Sequence, residues 1–217
     1  MRLRLGCMMS AAMVAVMGLT VVAASPGMAA GTADGASTLQ TASGVNAAYT
    51  AETAAAAKYG AYAQQVAKNG NAPVAMLFRA MAHSKQVTAH NLETLMVTHY
   101  GGVVSQGAYT GTPGTTLEVI QDAIKTEAQK RDLLYPSLIK QARMDGELNV
   151  LGVITFAHHS TAEQVYLLKD ALKSLGHNQG TRYYLVCPRC GAIVKTPTRR
   201  TFCPGCRLPI GKMDRVW

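Results

Sequence analysis

Four stretches of the sequence repeat apolar residues at three- and four-residue steps, and each repeat is broken once near its middle by polar residues. That period belongs to amphipathic helices whose apolar faces share one core. The first stripe reads Val45, Ala48/Tyr49, Glu52, Ala55/Ala56, Tyr59, Tyr62 and Val66; the second reads Val74, Leu77/Phe78, Met81, Lys85, Thr88, Leu92 and Leu95. The third reads Ile120, Ala123/Ile124, Glu127, Lys130/Arg131, Leu134 and Leu138; the fourth reads Ile154, Ala157/His158, Thr161, Gln164/Val165, Leu168 and Leu172. Four interruptions at one level describe one polar site inside a bundle.

Turn residues bound these segments. The first helix is expected from about Gly44 to Lys68, ending at Asn69-Gly70, and the second from Pro73 to about Tyr100, ending at Gly101-Gly102. The third covers Thr115 to Met144 and stops at Asp145-Gly146; the fourth runs from Leu148 to Leu175, with Gly176 beyond it. Pro136 predicts a kink or break near Tyr135. The connections run short, long, short, which makes two antiparallel hairpins joined by a crossover, the connection pattern of ferritin-like bundles.

Charge in such a core must be paired or metal-bound. Glu52 and Glu127 have the chemistry of di-metal carboxylate ligands, but the Glu-x-x-His motif of such sites occurs nowhere, and the corresponding positions read Lys85-x-x-Thr88 and Thr161-x-x-Gln164. A protonated lysine has no lone pair to offer a cation. Glu52, Lys85, Glu127 and Lys130 are therefore expected to neutralise one another, with a rearranged metal or small-ligand site as the alternative. His83 and His159 occupy matching places at the stripe edges of the second and fourth helices. They are expected to be solvated or singly hydrogen-bonded, and a metal held between them is the minor alternative.

The C-terminal segment carries Cys187-Pro188-Arg189-Cys190-Gly191 and Cys203-Pro204-Gly205-Cys206, two pairs separated by twelve residues. Each tight turn can aim two thiolates at one centre, and two such knuckles give a tetrahedral four-sulfur site. Four thiolates suit one zinc, as a structural clip, or one iron, as a one-electron carrier. Two disulfides are the competing arrangement, because the N-terminus reads as an export signal and exported compartments are oxidising.

That signal is a basic head, Met1–Arg4, an apolar run from Cys7 to Ala24, and small residues up to Ala29-Ala30. Cleavage there predicts a periplasmic or otherwise extracytoplasmic protein; an uncleaved run would anchor it in the membrane. Residues 31–44, mostly Gly, Ala, Ser and Thr, read as a flexible leader to a bundle over residues 45–178, with the cysteine module at 179–217. The formal charge is +9, and residues 181–217 hold eight Lys/Arg against one Asp. Export argues against nucleic acid as the target of that basic tail; an acidic partner protein or an anionic surface fits it.

Two spacings and the cysteine pattern carry a resemblance. Ala48-Tyr49-Thr50-Ala51-Glu52 is followed by Lys58-Tyr59, seven residues after the glutamate, and Glu127 is followed by Tyr135-Pro136, eight residues on. With the tail of two Cys-Pro-x-Cys knuckles, residues 45–217 resemble the rubrerythrin family. The resemblance implies a mainly α fold: a ferritin-like four-helix bundle with a small rubredoxin-like (zinc-ribbon) β module at its C-terminus. It implies glutamate iron ligands at Glu52 and Glu127 with a tyrosine near each, peroxide reduction at a di-iron site, electrons fed from the four-cysteine iron, and pairing of bundles into a homodimer. The family's remaining di-iron ligands fall on Lys85, Thr88, Lys130, Thr161 and Gln164, so a working di-iron centre, and with it peroxidase activity by that chemistry, is not expected. The expectation is an exported electron-transfer protein linked to oxidative-stress defence, with an acidic redox partner; the alternative is a zinc-clipped structural or partner-binding protein.

Overall fold

A computed structural model describes residues 33–177 and 183–217, with side chains from Leu39 onward. The export signal expected within residues 1–30 lies outside these residues. No helix among the described residues is long and apolar enough to cross a membrane.

Helix α1 spans Ala33–Lys68 and α2 spans Ala72–Tyr100. Between them, Gly70 turns the chain at φ 76° and the Asn71 side chain caps α2 by accepting from Val74 N at 3.2 Å. Residues 33–44, expected as a flexible leader, instead continue α1. The reason is tertiary: buried Thr41 hydrogen-bonds Asp145 at the far corner of the bundle, and Gly44 lies so close to Leu138 that a side chain there would collide.

The crossover after Gly101 has no regular structure, but it is stitched onto α1. Thr50 Oγ1 donates to Ser105 O at 2.7 Å, and Gly107 N donates to Thr53 Oγ1 at 2.7 Å. A Cβ on Gly107 would fall 2.1 Å from Thr50 O, so only glycine lets the loop approach this closely. Thr115 and Glu118 then form a capping box that opens α3, Thr116–Gln129.

The break expected near Tyr135 takes the form of a π-helical turn, Lys130–Leu134, between α3 and α4 (Tyr135–Met144). Pro136 lacks an N–H and crowds the carbonyl four residues back, which disfavours ordinary α pairing there. Tyr135 N accordingly bonds Lys130 O. The wide turn advances the inward face by five residues, from Lys130 to Tyr135, so Tyr135 is fully buried while Leu134, expected inside, is only half-buried. Helix α5, Leu148–Lys173, completes the bundle.

Three short strands, β1 (Tyr184–Val186), β2 (Ile193–Lys195) and β3 (Asp214–Val216), form an antiparallel sheet in the order β2-β1-β3. One side of this sheet adds Tyr184, Val186 and Ile193 to the core that Tyr59, Phe78, Met81 and Leu168 build. The other packs Leu185, Val194 and Met213 around the cysteines. The fold is thus a ferritin-like bundle with a small cysteine-bearing sheet docked on α2 and α5.

Candidate metal centre

The two cysteine knuckles face each other. The first joins β1 to β2: Cys187 N donates to Ala192 O and Gly191 N to Cys187 O, both at 2.9 Å, with Gly191 at φ 74°. The second repeats the turn, Arg207 N donating to Cys203 O at 3.2 Å, but places Arg207 at φ 63° where the first has glycine. Gly205 packs closely on the sulfurs, since a Cβ there would lie 3.0 Å from Cys190 Sγ.

All four cysteines are free and their sulfurs lie within 4.8 Å of one another. The cross-knuckle distances are 3.4 Å for Cys187–Cys206 and 3.5 Å for Cys190–Cys203. Both are far longer than a disulfide bond of about 2.05 Å. They are near the roughly 3.8 Å edge of a tetrahedron built on metal–sulfur bonds of about 2.3 Å. Backbone N–H groups of Arg189 and Cys190 point at Cys187, that of Ala192 at Cys190, and those of Gly205 and Cys206 at Cys203. A hydrogen bond from Cys190 holds the Cys187 thiol down at about 5; that shared proton, with burial, pushes Cys190 up, and burial also raises Cys203. Such crowding of thiols is relieved when a cation replaces their protons. Among the described residues, these cysteines are the group of His, Cys, Asp or Glu side chains that converge closely enough to hold an ion.

The bundle centre is organised differently. Lys85 Nζ lies 2.5 Å from Glu127 Oε2 and 3.1 Å from Glu52 Oε2, and Lys130 Nζ lies 2.9 Å from Glu52 Oε1 and 3.6 Å from Glu127 Oε1. Lys130 also donates to Ala51 O at 3.2 Å. All four side chains are buried, Glu52 and Glu127 completely. Tyr59 donates to Glu127 at 2.6 Å and Tyr135 to Glu52 at 2.8 Å. Each tyrosine therefore serves the glutamate of the opposite helix, not the one that precedes it in sequence.

Burial would raise the Glu52 carboxyl, but Lys130 and then Lys85, with hydrogen bonds from Lys130 and Tyr135, outweigh it and hold the group at about 2. Burial likewise opposes the charge on Lys130, and Glu52 and Glu127 overcome it and raise its pKa. Burial and the neighbouring carboxylates keep both tyrosines protonated as donors. Two carboxylates and two ammonium groups make this cluster neutral without an added ion.

Thr88, Thr161 and Gln164 are buried beside it, but their part is different. Gln164 Nε2 donates to Ser84 and Ser160, whose hydroxyls reach Gly191 O of the first knuckle. The two serines lie beside stripe residues and carry no periodic signal of their own. His83 and His159 part company: His83 Nε2 lies 2.9 Å from Asp214 Oδ2 on β3, whereas exposed His159 lines a small cleft with Glu163 beside Cys190.

The rubrerythrin family model matches residues 45–158. Rubrerythrin-2 of Clostridium acetobutylicum is 28% identical over 155 residues, which cover 70% of this chain and 83% of its own. The fully reduced, all-ferrous state of nigerythrin superposes with a TM-score of 0.76 at 22% identity, over 81% of this chain and 86% of that one. An open pore ferritin from the hyperthermophilic archaeon Archaeoglobus fulgidus shares the bundle at a TM-score of 0.56 and 16% identity, over 63% of this chain and 85% of its own.

Proposed function

The chain belongs to the rubrerythrin family, and on that premise we propose that it is an exported one-electron carrier working through iron on Cys187, Cys190, Cys203 and Cys206, in the setting of oxidative-stress defence. The observation that carries this reading is the contrast between the two buried polar centres: four free thiols converge within 4.8 Å, while the bundle carboxylates are already neutralised by lysines. Iron held there would supply a one-electron couple. The chain's own contribution is to hold four sulfurs in place, screen them with β1 and β2, and aim backbone N–H groups at them.

A di-iron centre does not fit the bundle of this chain. The Lys85 and Lys130 ammonium groups bridge Glu52 and Glu127, filling the place between the carboxylates that cations would need.

The electron partner is an acidic protein. Cys206 is the partly exposed ligand of the four, and its neighbour Arg207 lies over the Phe202 ring at 5.2 Å. Arg189, Arg199, Arg200 and Lys212 are also exposed on this module.

The test is metal content, visible absorption and voltammetry of protein isolated from its host compartment. One iron per chain, sulfur-to-iron colour and a reversible one-electron couple are expected. Zinc with no couple overturns the reading in favour of a structural clip, which the small core built on the cysteines would equally suit. Three irons per chain would show that the lysines do not displace a di-iron centre.

A further inference from the structure

The backbone around Gly191 is where the bundle touches the first knuckle, and the contact is polar. Ser84 of α2 and Ser160 of α5, both buried, each donate to Gly191 O, at 2.5 and 2.9 Å. A serine hydroxyl has one proton, so each is fully committed to that carbonyl. Both hydroxyls in turn accept from one side-chain amide, Gln164 Nε2, at 2.7 and 3.1 Å. The amide carries two protons, one for each hydroxyl, and the hydroxyls lie 3.3 Å from each other. The same peptide unit continues into the Ala192 N–H, which donates to Cys190 Sγ.

We propose that Gln164, Ser84 and Ser160 form a hydrogen-bond relay that runs through the Gly191–Ala192 peptide to Cys190 and raises the reduction potential of the four-sulfur centre. The proposal rests on the one-electron reading above. Two donors on a carbonyl polarise the peptide, and its N–H becomes a stronger donor, as in any chain of hydrogen bonds. Reduction adds one electron, delivered by the docked donor, and exchanges no proton or bond. The reduced centre carries one more negative charge, so a stronger N–H···S bond favours it over the oxidised one.

Two features mark the arrangement as more than a fastening. Gln164 is completely buried, yet its Oε1 has no hydrogen-bond partner among the described residues, a desolvation cost that an apolar side chain would avoid. Gly191 is also favoured as glycine: it sits at φ 74°, and a Cβ there would meet Ser84 O and Thr88 Oγ1 at 3.0 Å, a tight contact. Gln164, a position where the resemblance puts a di-iron ligand, here hydrogen-bonds the two serines that hold the backbone of the other metal centre.

The experiment is voltammetry of the full iron-loaded chain and of Ser160→Ala, Ser84→Ala/Ser160→Ala and Gln164→Leu, with Ser160→Thr as the hydroxyl-restoring control. The double variant is expected to reduce about tenfold less favourably, which is 59 mV for one electron. Ser160→Ala should move part of the way and Ser160→Thr should return to the parent. If the double variant does not fold, Ser160→Ala alone still decides the matter. An unmoved potential with an intact visible spectrum overturns the relay and leaves the one-electron reading standing. If the parent shows no reversible couple, that reading fails instead, and the relay is read in the zinc-loaded chain from the Ala192 amide proton. Its resonance should shift upfield in the double variant; an unchanged resonance overturns the relay.

Discussion

The bundle centre and the cysteine module both bury groups that cannot remain alone in a protein interior, and they reach neutrality by different routes. In the bundle, Glu52 and Glu127 are met by Lys85 and Lys130, and Tyr59 and Tyr135 add a donor to each carboxylate. In the module, the polar partners of the four thiols among the described residues are one another and backbone N–H groups. The first centre is complete in the folded chain, and the second is completed by a cation. Two Lys side chains, one on α2 and one on the π-helical turn, are enough to make that difference, because an ammonium brings its charge covalently and needs no outside ion.

Removing one thiolate should have the largest effect. Cys190→Ser should abolish metal retention and unfold residues 183–217 while the helical circular dichroism persists, because structural four-ligand sites contribute roughly 10 kcal/mol or more to small modules. A chelator should do the same to the parent. If the helices melt with the module, the shared core of Tyr184, Val186 and Ile193 with the bundle couples the two centres.

Glu127→Ala attacks the other side. It leaves Lys85 and Lys130 sharing one carboxylate and strips Tyr59 of its acceptor, and the expected loss is about 3–5 kcal/mol in denaturant unfolding, with metal content unchanged. Lys85→Met with Glu127→Leu removes a whole pair, so it should cost less than Glu127→Ala alone.

Acid and base should sharpen the picture next. Glu52 is held at about 2, below its ordinary 4.5. Its contribution is full above pH 4.5 and is lost as pH falls towards 2; a shift of this size is worth about 3 kcal/mol. Lys130 is raised, so its contribution is full below its ordinary 10.5 and is lost only as pH rises beyond that. Bundle stability followed by circular dichroism should therefore be flat with respect to Glu52 and Lys130 between these limits. A fall near neutrality would contradict the ion-pair assignment.

The smallest effects compare the two knuckles with each other. Gly191→Ala adds a Cβ at φ 74° against Ser84 and Thr88, and should cost about 1 kcal/mol or more and loosen the module from the bundle. Arg207→Gly relieves a left-handed residue facing solvent, and should gain up to about 1 kcal/mol in thermal unfolding. That arginine persists at a strained position beside Cys206 is consistent with its proposed place on the docking face.

Helix number, the loop order and nearly every inward residue followed from apolar period and turn chemistry. Val45, Tyr59, Leu77, Ile120, Ile154 and Leu168 are all fully buried as their spacing requires. The polar level was equally legible, since Glu52, Lys85, Glu127 and Lys130 interrupt stripes that must point inward. What period alone misses is phase. Pro136 announces a break, but whether a helix bends, stops or widens into a π turn depends on what the surrounding core accepts, and Tyr135 rather than Leu134 faced inward as a result.

The cysteine pattern by itself determined a four-ligand site, because two short turns leave the thiols little choice of direction. It could not say where the module docks. It took the packing of whole elements to cross Tyr59 and Tyr135 to opposite glutamates, to extend α1 through residues 33–44, and to bring Ser84 and Ser160, held by Gln164, onto Gly191. Local pattern reports which face a residue takes on its own helix. Partners across a bundle depend on how several helices and a sheet settle against one another, and no period along a single chain encodes that distance.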